Sequence, residues 1–198
     1  MPARPYYIIN TITIYRILVA PFLIYLVYTN QVNLYKWLLA FSFFTDAIDG
    51  FLARKFKVVS RWGARLDSIA DDLTVTAGIF GIFILRPLFV QHEVILITVM
   101  LSLLFIQMLL AFIRYRKMTS FHTYIAKIAA VLQAVFIVLI FFLPEVPYWL
   151  FYTAAAFTII NLLEEIILIF ILPQYQSDVK GLFWVLKKKR RKSLISDR

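Results

Sequence analysis

Residues 94 to 113 read VILITVMLSLLFIQMLLAFI, twenty consecutive positions without a charged side chain. A helix of about 20 residues rises about 30 Å, the thickness of a bilayer's hydrocarbon core, so this stretch is long enough to cross one. Five further runs bounded by charge or proline have similar length: Thr11 to Tyr28, Tyr35 to Ala53, Leu66 to Leu85, Tyr124 to Leu143 and Tyr148 to Leu172. The joints hold Asn30 to Asn33, Arg61 to Gly63, Arg86 to Pro87, Arg114 to Lys117 and Pro144 to Pro147. The pattern predicts an all-α integral membrane protein of six transmembrane helices, because only helices and closed barrels satisfy their backbone in lipid. The first run holds Arg16 and Pro21 and lacks a small-residue cleavage site, so it reads as a span and not as a cleaved leader.

Composition agrees with that reading. Of 198 residues 62% are hydrophobic and 17% aromatic, and the mean hydropathy is +0.82. With five Gly and no Cys, disordered, collagen-like and disulfide-stapled classes are excluded, as is thiolate chemistry. The net charge of +10 reads as membrane orientation and contact with anionic lipid or phosphate, not with nucleic acid. Arg54, Lys55, Lys57, Arg61 and Arg65 lie between the second and third runs, and Arg114, Arg116 and Lys117 between the fourth and fifth. The alternate joints carry only Lys36 and Arg86. The positive-inside rule makes the basic joints cytoplasmic, and six spans then place both termini there, beside Arg4 and the run KKKRRK from Lys187 to Lys192. Residues 1–10 read as a short interfacial segment and 174–198 as a basic cytoplasmic tail, within a single membrane domain over 1–198. An apolar face left on the third to fifth spans predicts a homodimer.

The chemistry lies in the acids. Five of the seven Asp in the chain fall between Asp46 and Asp72, at the cytoplasmic end of the second and third spans. An ionised side chain within a span costs several kcal/mol and marks a site, an ion path or a relay. At about 100° per residue, Asp46, Asp49, Gly50 and Ala53 share one face of the second helix. Gly63, Asp67 and Asp71 follow at intervals of four and form a stripe on the third. Two antiparallel helices thus aim four carboxylates at one another, an arrangement that calls for multivalent cations between them. Oxygen-only ligands favour hard ions, Mg²⁺, Mn²⁺ or Ca²⁺, and two such ions suit phosphoryl chemistry. Gly50, Ala53 and Gly63 leave room for a ligand or for close helix packing, and Arg54 offers a permanent cation to phosphate.

Read together, Asp46, Asp49, Gly50, Ala53, Arg54, Gly63, Asp67 and Asp71 spell D-x2-D-G-x2-A-R-x8-G-x3-D-x3-D. This resembles, at all eight positions, the signature of the CDP-alcohol phosphatidyltransferases. Chance agreement is expected roughly once in 10⁹ to 10¹⁰ starts. The resemblance implies an enzyme that moves a phosphatidyl group from CDP-diacylglycerol to a polar alcohol and releases CMP. It also implies two Mg²⁺ or Mn²⁺ ions held by Asp46, Asp49, Asp67 and Asp71, and Asp71 as the catalytic general base. Asp49, Gly50, Ala53, Arg54, Gly63 and Asp67 would contact the cytidine diphosphate. The active site would face the cytoplasm at a bacterial inner membrane or its equivalent.

For the acceptor, Asn10, Thr13 and Arg16 form N-x2-T-x2-R, similar to the corresponding segment of phosphatidylglycerophosphate synthases and CDP-dependent cardiolipin synthases. Arg114, Arg116 and Lys127, with Arg16, are the acceptor-binding candidates, and glycerol 3-phosphate is the expected acceptor. Arg16 paired to a carboxylate is the structural alternative. Those synthases usually read L-D-P-x-A-D-K where this chain reads L-D-S-I-A-D-D from Leu66 to Asp72. Ser68 and Asp72 therefore keep inositol phosphate, phosphatidylglycerol and serine open. Glu164 and Glu165 near the end of the sixth span are expected to pair with Lys127 or Arg16, or to touch the acceptor. The rival class is a cation or proton transporter, which would place its acids near mid-membrane on broken helices.

Overall fold

The structure is a computed structural model. It describes residues 3–56, 61–116, 121, 123–174 and 179–187, with side chains except those of 3–10, 49–56, 61, 62, 64 and 65. Among the described residues it is all helical: α1 Ala3–Tyr28, α2 Val32–Phe56, α3 Arg61–Leu85, α4 Pro87–His92, α5 Val94–Tyr115, α6 Tyr124–Phe142 and α7 Tyr148–Ile171. Five helices, α1, α3, α5, α6 and α7, are long and apolar enough to cross a membrane, where six had been expected. The difference is α2, which has the length but carries Lys36, Asp46, Asp49, Arg54 and Lys55 within its 25 residues. Side chains such as Leu18, Leu88, Ile95 and Phe105 are more than two-thirds exposed. Surface of that kind needs lipid around it, and the protein is an integral membrane protein.

Helix α1 starts at Ala3 and runs unbroken into the first apolar stretch. Pro5 does not interrupt it, because first-turn N–H groups have no partner inside the helix. The helix closes at Asn30, which adopts φ 55°, while Asn30 N–H donates to the Val27 carbonyl (3.1 Å) and Gln31 N–H to that of Leu26 (3.0 Å). This is a Schellman closure with Asn in the left-handed position.

The chain forms two compact units. The first comprises residues 1–92 and 137–146. Its centre is built on one face of α1, where Thr13, Arg16, Ala20, Leu23 and Val27 are all buried. Spacings of three and four put these five on a common stripe. The small residues Ala70 and Ala77 of α3 are also fully buried, which lets helices approach closely where no hydrophobic force between them exists in lipid. Tyr35 of α2 is fully buried, donates its hydroxyl to the Ala77 carbonyl at 3.0 Å, and meets Phe141 edge-on at 5.0 Å. Gly81 lies beneath that ring: a Cβ there would stand 2.0 Å from the Tyr35 hydroxyl oxygen and 2.5 Å from Cζ.

The second unit comprises residues 93–136 and 147–198. Ala111, Phe121, Leu168, Ile169, Leu172 and Val179 form its apolar cluster. Beside it runs a polar chain. Gln107 of α5 donates to Glu165 of α7 at 2.9 Å, Asn161 donates to the same carboxylate at 3.4 Å, and Thr123 bonds Asn161 at 3.4 Å. Glu164 accepts the Leu182 N–H at 2.8 Å, tying residues 179–187 to α7. The expected pairing of Glu164 or Glu165 with Lys127 or Arg16 is therefore corrected. Amide and backbone donors reach these carboxylates, Lys127 is exposed over the Tyr124 ring at 5.8 Å, and Arg16 is engaged elsewhere.

Gly81→Ala has no room to enter, since Tyr35 is held at both ring and hydroxyl, and it should cost about 1–3 kcal/mol, seen as a lower Tm. Gly78→Ala, opposed at 2.5 Å by Cγ2 of the buried Ile137, a branch methyl fixed to its Cβ, should cost a similar amount. Glu165→Leu removes the acceptor of a buried Gln107 and should cost about 1–3 kcal/mol. Adding Gln107→Leu should return part of that stability in the double variant, because the buried amide that lost Glu165 as acceptor is then gone too, while Asn161 still loses one.

Candidate active site

The site is assembled from α1, α2 and α3 within the first unit. Asp46 stands on α2, and Asp67 and Asp71 stand one turn apart on α3. Carboxylate oxygens from these three residues lie within 4.8 Å of one another. Hard cations hold oxygen ligands at about 2.0–2.6 Å, so oxygens on opposite sides of one ion are about 4–5 Å apart. The three carboxylates thus suit one shared divalent ion, and they are the group with this property among the described residues. Each is partly open, at 35%, 40% and 43% side-chain exposure. A ligand can therefore reach them.

Buried hydroxyls around the cluster are satisfied within their own helices and compete little for it. Ser42 donates to the Leu38 carbonyl at 2.9 Å, Thr45 to that of Ser42 at 2.9 Å, and Thr74 to that of Ala70 at 2.8 Å. The cation at the cluster is Arg16 of α1, whose side chain is 1% exposed. Its Nη1 donates to Asp46 Oδ1 at 2.7 Å and lies 3.5 Å from Asp67 Oδ1, while Nη2 donates to Asp71 Oδ1. One guanidinium bridges three carboxylates from two other helices, which its planar fork of donors allows.

Asp46, Asp67 and Asp71 are brought together. Asp49, Gly50, Ala53 and Arg54 lie on α2, with side chains outside the described residues. Gly63 opens α3, half-buried, one turn before Asp67. Ser68 and Asp72 are exposed, and Asp72 is not part of the three-carboxylate group. In the second unit Arg114 sits at the end of α5 and reaches the Leu172 carbonyl at 3.4 Å and that of Phe170 at 3.5 Å, and Arg116 takes the left-handed cap position at φ 55°. Lys127 occupies the first turn of α6. Most of the run KKKRRK, residues 188–192, lies outside the described residues.

Sequence reasoning left the target of Arg16 open between an acceptor phosphate and a carboxylate; the structure shows three carboxylates. Gln107 as partner of Glu165 was missed. The available signal was a lone amide in the apolar α5, together with Asn161 and Glu165 four apart on one face of α7.

Comparison with known proteins bears directly on this geometry. The family model described as CDP-alcohol phosphatidyltransferase matches residues 6–160. The chain is similar to the CDP-diacylglycerol–glycerol-3-phosphate 3-phosphatidyltransferase of Rickettsia typhi, at 41% identity over 69 residues, 33% of this chain and 39% of that protein. It is similar to the protein of the same name from Haemophilus influenzae, at 34% over 86 residues, 41% of this chain and 42% of that protein. The one from Pectobacterium atrosepticum matches at 35% over 71 residues, 34% of this chain and 39% of that protein. The chain spans about two fifths of the length of these curated relatives. No solved structure matches. With the family model covering more than three quarters of the sequence and three of the motif's four carboxylates gathered at one point, the chain belongs to the CDP-alcohol phosphatidyltransferase family.

Proposed function

We propose that the protein transfers the phosphatidyl group of CDP-diacylglycerol to glycerol 3-phosphate and releases CMP. The observation that carries this reading is the convergence of Asp46, Asp67 and Asp71 within 4.8 Å in a chain whose motif and family match both belong to phosphatidyl transfer. The name shared by the three relatives supports glycerol 3-phosphate as the acceptor. Ser68 and Asp72 support a second reading, in which an unphosphorylated alcohol such as serine, or inositol phosphate or phosphatidylglycerol, takes that place.

The donor set fits divalent metal: hard oxygens only, closely grouped and partly open. Asp46, Asp67 and Asp71, with Asp49, would hold Mg²⁺ or Mn²⁺, in our reading two ions. When bound, such ions supply charge neutralisation for a diphosphate and its leaving group. The chain's own residues do the rest. Arg54 pairs with donor phosphate, and Gly50, Ala53 and Gly63 leave space beside the cytidine diphosphate. Asp71 accepts the proton of the acceptor hydroxyl while that oxygen forms a bond to the phosphatidyl phosphorus. The phosphorus–oxygen bond to CMP breaks in the same displacement, and CMP leaves as the phosphate monoester. No Cys exists to form a covalent intermediate, so direct attack is the simpler course. Arg114, Arg116 and Lys127 are proposed, on the resemblance, as contacts for the acceptor's phosphate.

Around this chemistry we place α2 as a sixth span, with both termini and the acidic helix ends at the cytoplasmic face of a bacterial inner membrane or its equivalent. The whole chain is then one membrane domain, assembled as a homodimer. Exposed apolar surface on α5, such as Ile95, Val99 and Phe105, supports the dimer.

The reaction is tested by incubating purified protein with CDP-diacylglycerol, Mg²⁺ or Mn²⁺, and each of glycerol 3-phosphate, inositol phosphate, phosphatidylglycerol and serine, with CMP release as the readout. CMP formation dependent on glycerol 3-phosphate is expected; release with serine alone would favour the second reading, and none with any acceptor would end both. Asp71→Asn should lower turnover by more than about tenfold while CDP-diacylglycerol still binds, because the base acts on the acceptor. Asp67→Asn should weaken metal and donor binding together.

A further inference from the structure

We infer that Arg16 is the resident counter-cation of the carboxylate cluster: a fixed monovalent charge held between Asp46, Asp67 and Asp71, against which a divalent cation must compete for the same oxygens. The inference rests on the metal reading above and assigns to Arg16 a role in setting cation affinity.

Three observations carry it. The first is placement. Arg16 lies on the buried stripe of α1 with Thr13, Ala20, Leu23 and Val27, so the packing that seats α1 also inserts the guanidinium. At 1% exposure it has given up water, whereas its three partners are each at least a third exposed. A buried guanidinium is maintained only where charged acceptors surround it. The second is charge. Three carboxylates and one guanidinium leave a formal −2 among these four side chains, the amount one divalent ion offsets. Three carboxylates at this spacing would repel strongly without a cation, and Arg16 is a cation that cannot dissociate from the fold.

The third is atomic overlap. Arg16 takes Oδ1 of Asp46, Oδ1 of Asp67 and Oδ1 of Asp71. A divalent ion drawing on those oxygens shares or displaces the fork, and its own charge repels the guanidinium at close range. Two consequences follow by linkage: Arg16 stabilises the protein without metal, and the same interaction weakens metal binding.

The test uses the full-length protein in neutral detergent. Mn²⁺ binding is read from the electron paramagnetic resonance signal of the free ion, and thermal unfolding is followed in EDTA and in saturating Mn²⁺. Arg16→Gln is expected to bind Mn²⁺ about tenfold tighter or more. Its Tm should fall below wild type in EDTA and return to the wild-type value in saturating Mn²⁺. Arg16→Lys, which keeps the charge, should remain within about threefold of wild-type Mn²⁺ affinity. Unchanged or weaker Mn²⁺ binding in Arg16→Gln would overturn the inference, as would a Tm deficit equally large with and without Mn²⁺. If Arg16→Gln fails to fold even when produced and purified in Mn²⁺, Arg16 does something a cation cannot replace, and the inference falls. A lysine variant that binds Mn²⁺ as tightly as the glutamine one would remove charge as the cause. The underlying metal reading fails separately: it is refuted if Asp67→Asn leaves Mn²⁺ affinity intact. Should CMP release fail while Arg16→Gln still tightens Mn²⁺ binding, the proposed reaction falls and the role of Arg16 stands.

Discussion

The first unit is organised around a charge problem. Three carboxylates on two helices must be brought within a few ångströms, in surroundings where each unpaired ion costs several kcal/mol. The solution places a single arginine on a third helix so that one planar fork meets all three. The requirement propagates outward. Helix α1 must present a continuous buried stripe to carry Arg16 inward, and α3 must be lined with alanines to bring its acids close. Helix α2 must then tolerate a polar C-terminal half, which is why it has the length of a span without the apolarity of one.

The second unit meets the same cost in a different way. Glu165 is buried and, among the described residues, has no arginine or lysine paired to it; its oxygens take donors from Gln107 and Asn161. Neutral amides compensate a carboxylate more weakly than a guanidinium does, but they hold fixed positions on α5 and α7 and add no charge to the interior. Glu164 next to it secures the Leu182 N–H. Glycine at 181, with φ 145°, supplies the backbone conformation that an L side chain rarely adopts. One acidic cluster is thus partly open and offset only in part by charge, as suits a site. The other is held by hydrogen bonds from Gln107, Asn161 and the Leu182 N–H.

Much of this was legible in the chain itself. Six apolar runs, the basic joints and the absence of cysteine determined an all-helical membrane protein, because a backbone in lipid has so few ways to satisfy itself. Helical periodicity put Asp67 and Asp71 on one face of α3, and the eight-residue motif named the chemistry. These are local properties, expressed along a helix or within one short stretch of sequence. The partner of each charge was decided by tertiary structure alone. Arg16 finds acids 30, 51 and 55 residues away, and Gln107 finds Glu165 at a separation of 58. No period or propensity encodes such pairings, since they depend on which helices pack together and at what depth. The sequence therefore determined that carboxylates would share helix faces and need a cation; only the packing of α1 against α2 and α3 decided that an arginine of this chain supplies one.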